Sequence, residues 1–224
     1  MDTKELVKTV TEVILKELHI NNRTNTETSQ DLSNQIPVGV SNRHVHLSEG
    51  DLYKLYGDGA KLTNFKDLSQ PGQFACEEKV TLVGLKGVIE NVRILGPVRS
   101  KTQIELSISD CIKLGVKAPI RDSGDLCGSP GLTLVGPKGA VTINEGTIVA
   151  ARHVHMHTND AIRFRVKDGQ RISIRASGPR ETIFNEVLVR VSDKYKLEVH
   201  LDFDEANAAG LTNNSTVEIV NMSF

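Results

Sequence analysis

Tryptophan is absent from the 224 residues, and all aromatic residues together make up only 4%. A chain so poor in rings is a weak candidate for the stacking platforms that hold single-stranded nucleic acids. A basic excess is also lacking: 27 Lys and Arg stand against 28 Asp and Glu, a formal net charge of −1. Without surplus cations to displace counterions, general nucleic-acid binding is not expected. No apolar run approaches the ~20 residues of a membrane-spanning helix, so no membrane partner is expected either. The N-terminus mixes charged and apolar residues instead of setting a basic stretch before an apolar one, which reads against a secretory signal. Three cysteines, Cys76, Cys111 and Cys127, are widely spaced and form no CxxC pair. That excludes a cysteine-rich zinc knuckle and fits reduced cytosolic thiols.

What remains is 38% hydrophobic and 25% charged, enough apolar residue to bury a core. Residues 3–20 read as an amphipathic helix. Leu6, Val10, Val13, Ile14 and Leu18 recur at spacings of three and four. Lys4, Glu5, Lys8, Glu12 and Lys16 fill the other face, and Glu17 intrudes on the apolar one. Residues 21–35 (NNRTNTETSQDLSNQ) are almost free of large apolar side chains and read as a flexible linker. A short tethered helix is not stable alone. It must dock on its own domain, on a sister subunit, or on a partner that it targets.

From Ile36 onward, short β-branched runs alternate with Gly, Pro and Asp. The runs 36–40, 79–83, 89–95, 103–109, 133–135, 140–143, 171–174, 184–191, 197–201 and 216–220 predict strands in small antiparallel sheets or barrels. Short helices are expected after His46, capped by Ser48, and after His155, capped by Thr158. A third is expected at 204–210, stopping at Gly210.

The segment repeats itself. Arg43-His44-Val45-His46 recurs as Arg152-His153-Val154-His155, and each copy uses two of only seven histidines. Each follows a β-branched run and precedes a capped helix. Downstream, Val98 and Lys101 parallel Val191 and Lys194, and in that register Ile104-Glu105-Leu106 parallels Leu197-Glu198-Val199. The fold class expected is mostly β with short capping helices: two similar barrel halves, 36–146 and 147–224, joined near 144–151.

Residues two apart on a strand share a face, so His44 and His46 are neighbours, as are His153 and His155. Paired imidazoles are a metal-ligand geometry. Glu105 offers a third ligand in one half. In the other, His200 lies two residues beyond the Glu198 that aligns with Glu105, an offset that keeps the face. Three protein ligands with a fourth position open is the catalytic zinc arrangement. Arg99, shortly before Glu105, is the residue type that grips phosphate or carboxylate with two parallel hydrogen bonds. The loop 121–131 (RDSGDLCGSPG) is dense in glycine and hydroxyls, and such loops can hold phosphates on backbone amides.

The segments SNRHVHLS, ARHVHM, PVRSKTQIELS and APIRDSGDLCGSPG resemble the microcompartment-type phosphotransacylases, the phosphate propanoyltransferases of propanediol utilisation. The resemblance covers essentially the whole chain. It implies two β-barrels around a two-metal site and the reversible reaction of acyl-CoA with phosphate to give acyl phosphate and CoA. One zinc would sit on His44, His46 and Glu105 and a second on His153, His155 and His200, with cobalt or iron as other candidates. Arg99 would be catalytic and bind phosphate, and Ser123 would lie near CoA. The leading strand, 36–42, would be exchanged into the second half. Residues 1–20 would address the enzyme to the lumen of a bacterial microcompartment through shell or cargo proteins, and a homo-oligomer is expected.

Direct attack of phosphate on the thioester is the mechanism expected, since CoA thiolate is a good leaving group. Cys127 is the alternative acyl acceptor. A zinc hydrolase acting on a thioester or phosphoester could use the same ligands, and so could a metal-binding scaffold without catalysis.

Overall fold

The computed structural model describes residues 34–220. The expected helix at 1–20, and nearly all of the expected linker at 21–35, lie outside these residues. In chain order, β1 (Gln35–Ser41) and β2 (His44–His46) lead into α1 (Glu49–Tyr56). Then come β3 (Asn64–Asp67), β4 (Phe74–Val83), β5 (Val88–Gly96), β6 (Gln103–Leu106) and α2 (Ile108–Leu114). Next are β7 (Ile120–Arg121), β8 (Thr133–Val135), β9 (Ala140–Thr142) and β10 (Thr147–Ala150). The second half opens with β11 (His153–Met156) and α3 (Thr158–Phe164). It continues with β12 (Arg171–Ala176), β13 (Thr182–Val191), β14 (Glu198–Asp202), α4 (Phe203–Ala209) and β15 (Thr216–Val220).

The protein is mostly β, in two barrel-like halves. Six strands close one barrel in the order β1-β14-β11-β13-β12-β15. The other half is a curled sheet in the order β7-β10-β6-β2-β5-β4-β8-β9, with β3 paired to β4. Each half has its own core, built from the inward residues of alternating strands. Val80, Leu82, Val92 and Ile94 belong to the first, and Ile174, Val187, Val189 and Leu201 to the second.

Both leading strands cross over. β1 pairs in parallel with β14 in the closed barrel, with Gly39 opposite His200. β10, which a boundary at 146/147 would give to the second half, pairs in parallel with β6 of the first, with Ile148 opposite Glu105. Each HVH strand therefore follows a strand donated to the other half, which ties the halves together.

Parallel pairs also join β2 to β5 and β11 to β13, so the sheets are mixed rather than antiparallel as expected. The expected strand 103–109 ends early. Ser107 accepts from the Asp110 amide and caps α2, which stops at left-handed Gly115. α1 is capped by Ser48 as expected. The cap of α3 is His157 instead of Thr158: its Nδ1 accepts from the Asn159 amide, a role the sequence did not suggest. α4 starts at a capping box formed by Asp202 and Glu205.

Candidate active site formed by two His clusters

β2 and β6 run antiparallel with His44 opposite Glu105. The ligand atoms of His44, His46 and Glu105 all lie within 4.8 Å of one another. In the second half, β11 and β14 pair the same way, with His153 opposite His200. His153, His155 and His200 gather within the same limit. The sequence register was therefore two residues off. His200 corresponds to Glu105 directly, and Glu198 corresponds to Gln103. Gly115 and Gly210 are placed alike, each ending the helix that follows a third donor. Asn91 and Glu186, both left-handed, mark matching bulges fourteen residues before Glu105 and His200. The misalignment arose because Ile104-Glu105-Leu106 and Leu197-Glu198-Val199 alternate identically, and a two-residue slip keeps every side chain on its face.

Backbone carbonyls fix three imidazoles. Nδ1 of His44, His46 and His153 donates to the oxygens of Asn42 (2.8 Å), Leu95 (3.2 Å) and Ala151 (2.9 Å). A carbonyl only accepts, so each Nδ1 carries the proton and each Nε2 keeps its lone pair. Nδ1 of His155 and Nε2 of His200 are buried with no hydrogen-bond partner among the described residues. An orphaned buried nitrogen costs about 1–3 kcal/mol, a loss that a coordinated cation would recover. Two imidazoles with a carboxylate, and three imidazoles, are donor sets for zinc or a similar divalent ion. The residues fit two metals.

The charge states of Glu105, His46, His153 and His155 suit metal binding; that of His44 in the metal-free protein does not. Burial, with the neighbouring His44 and Arg99, pulls His46 down to about 3. Burial and His200 pull His153 to about 4, and burial with His153 and His200 pulls His155 to about 2. Burial alone would raise the Glu105 carboxyl, but His44, His46 and Arg99 outweigh it and hold it ionised well below the usual range. His44 goes up despite burial because Glu105 stands 3.4 Å from its Nε2.

The two clusters share one field. Glu105 of the first half acts on His153 of the second. Burial lowers the Arg99 guanidinium, opposed by Glu105, and Arg190 lowers it further. Arg190 also depresses His153 and His155. It sits on β13 in register with His155. Sequence reasoning missed it, because a lone arginine on an alternating strand carries no signal until the register is known.

Arg99 is held by a saturated hydroxyl. Ser123 Oγ accepts from Arg99 Nη1 (3.2 Å) and Gln103 Nε2 (2.8 Å) and donates to Glu105 Oε1 (3.1 Å). One proton and two lone pairs are thereby used. Gln103 Oε1 accepts from the Gly124 amide (2.9 Å), pinning the glycine-rich loop to β6. Ser123 thus couples the candidate anion-binding arginine to a carboxylate of the first candidate metal cluster. Cys127, further along the loop, is exposed.

This constellation has known relatives. A model described as phosphate propanoyltransferase matches residues 37–212, a span that includes both clusters, Arg99 and Ser123. The chain belongs to the phosphate propanoyltransferase family. A phosphate propanoyltransferase of Thermotoga maritima is 54% identical over 186 residues, covering 83% of this chain and 89% of that protein. One from Rhodobacter capsulatus is 51% identical over 184 residues, 82% of this chain and 86% of its own. One from Sebaldella termitidis is 48% identical over 220 residues, 98% of this chain and 99% of its own.

Proposed function

We propose that the chain transfers an acyl group, propanoyl by analogy with its relatives' names, between coenzyme A and inorganic phosphate. Two divalent metal ions are expected, one on His44, His46 and Glu105 and one on His153, His155 and His200. The observation that carries this reading is the pair of three-donor clusters in one shared field with Arg99 and Arg190. A dianionic nucleophile and a thioester oxygen that becomes negative both need concentrated positive charge, and this field supplies it. When bound, the ions would add Lewis-acid stabilisation of that negative charge.

The chain's own residues do the rest. Arg99, oriented by Ser123, holds phosphate and presents one of its oxygens to the thioester carbonyl. Attack by that oxygen forms the new C–O bond. The C–S bond then breaks and CoA leaves as thiolate, so no strong general acid is needed. The glycine-rich loop carrying Ser123 is expected on the CoA side. Transfer is direct, without an acyl-enzyme on Cys127.

The location proposed is a protein-shelled microcompartment, where the reaction would recycle CoA. Residues 1–20 would be the address recognised by shell or cargo proteins. The alignment with the Sebaldella relative, at 220 residues, extends into this N-terminal region and supports its belonging to the family pattern.

The test is thiol release from propanoyl-CoA with and without phosphate. Release that requires phosphate supports acyl transfer. Equal release without it would make the protein a thioesterase.

A further inference from the structure

The two half-sites are built alike but are not copies. Opposite the first histidine of each pair stand Glu105 and His200. Opposite the second histidine stand Gln103 and Glu198. On the adjoining donated strand, Ile148 pairs with Glu105 where Gly39 pairs with His200. Three matched positions thus read Glu, Gln and Ile in one half and His, Glu and Gly in the other.

These differences compensate one another. The carboxylate missing from the ligand position of the second half reappears two residues earlier, and the facing side chain shrinks to hydrogen. A Cβ on Gly39 would come within 2.8 Å of the Glu198 carboxylate carbon, so this glycine is the cradle over which the carboxylate folds. Ser69, in the turn between β3 and β4 of the other half, donates to Glu198 Oε2. Gln70 anchors that turn by gripping both the carbonyl (2.9 Å) and the amide (3.2 Å) of Lys196. Glu198 Oε2 is 3.1 Å from His200 Nε2. The pair lies at ion-pair distance, yet His200 Nε2 makes no hydrogen bond of good geometry among the described residues.

Two imidazoles and a carboxylate offset one charge of a divalent cation, whereas three neutral imidazoles offset none. A buried cation needs a counter-charge. We propose that Glu198 is the positioning residue and counter-charge of the His153–His155–His200 cluster. From beside the ligands it does what Glu105 does from among them. Ser69 makes this arrangement depend on the other half of the molecule. In the first half the charge is already in the ligand set, and the matched Gln103 serves as a neutral donor to Glu105. The inference rests on the two-metal reading proposed above.

The test is Co²⁺ titration of the chelator-stripped full-length chain against a chromophoric chelator, with the visible cobalt spectrum recorded at each step. The wild type should take up two ions. Glu198→Gln keeps the shape but removes the charge. It should weaken one ion by about 10–100-fold and leave the other unchanged. Gly39→Ala keeps the charge but displaces it, and should weaken the same ion. Adding His200→Glu to Glu198→Gln returns a carboxylate to the ligand set and should recover much of the affinity, which a merely structural role for Glu198 would not allow. Wild-type isotherms for both Glu198→Gln and Gly39→Ala would overturn the proposal while leaving two metals in place. If Glu198→Gln fails to fold, Gly39→Ala alone decides in the same way. Fewer than two ions on the wild type would overturn the metal reading itself, and this proposal with it.

Discussion

His153 and His200 stand directly opposite each other on β11 and β14, their rings nearly parallel with centroids 5.0 Å apart. His44 and Glu105 occupy the matching places on β2 and β6. Each half therefore supplies a complete three-donor set, and losing one donor should spare the other set. His200→Ala is expected to reduce bound metal from two ions per chain to one and to lower turnover by about 100-fold or more. Elemental analysis beside kcat checks this. Retention of both ions would show that His200 is not a ligand.

Arg99 is gripped by Ser123 at one guanidinium nitrogen, and no other hydrogen bond to its fork is made among the described residues. Lysine keeps the charge but loses the planar fork. Arg99→Lys should lower kcat/KM for phosphate by about 10–100-fold, the loss of one or two charge-assisted hydrogen bonds. Metal content should not change. An unaltered phosphate dependence would remove Arg99 from the anion site.

In the metal-free protein, burial and neighbouring histidines hold His153 near 4 and His155 near 2, against the usual 6.5. Below 6.5 the unfolded chain takes up protons that the folded chain refuses, so stability falls as pH falls. At pH 5 the loss is about 2 kcal/mol for each histidine. Glu105, whose carboxyl is also held low, adds to the loss below its usual 4.5. His44 has the opposite sign: its raised value costs stability as pH climbs above 6.5. Melting temperature after chelation should therefore peak near neutrality and drop steeply towards pH 4. His155→Gln should flatten the acid side. A flat wild-type profile from pH 7 to 4 would contradict the burial of these rings.

Deletion of residues 1–20 is expected to leave thiol release intact and to abolish capture in microcompartments, measured by co-purification with the shells. Loss of activity in the purified truncated protein would make the segment part of the fold.

Much of this was legible in the sequence because the repeat is local. Two identical Arg-His-Val-His strings fix the faces of their own strands, and period-two alternation then puts each pair of rings together. The six candidate ligands that cluster in two sets follow from that pattern and the family resemblance. The register between distant strands was not legible. Slipping β14 by two residues costs nothing in hydrophobic pattern, so Glu198 was matched to Glu105 when its counterpart is Gln103. Arg190 was hidden for the same reason, as its meaning depends on standing beside His155 across a strand pair. The N-cap on α3 was missed because histidine is an uncommon cap, whereas Thr158, the expected one, is the first helical residue.

Acyl transfer to phosphate is proposed to rest on the two metal clusters and Arg99 together. The most direct measurement follows free thiol from propanoyl-CoA with phosphate present, using protein stripped by chelation and then reloaded with Zn²⁺ in steps. Phosphate-dependent release should be absent from the stripped protein and return fully only as the second ion per chain binds. Full activity in stripped protein, or release that ignores phosphate, would contradict the account.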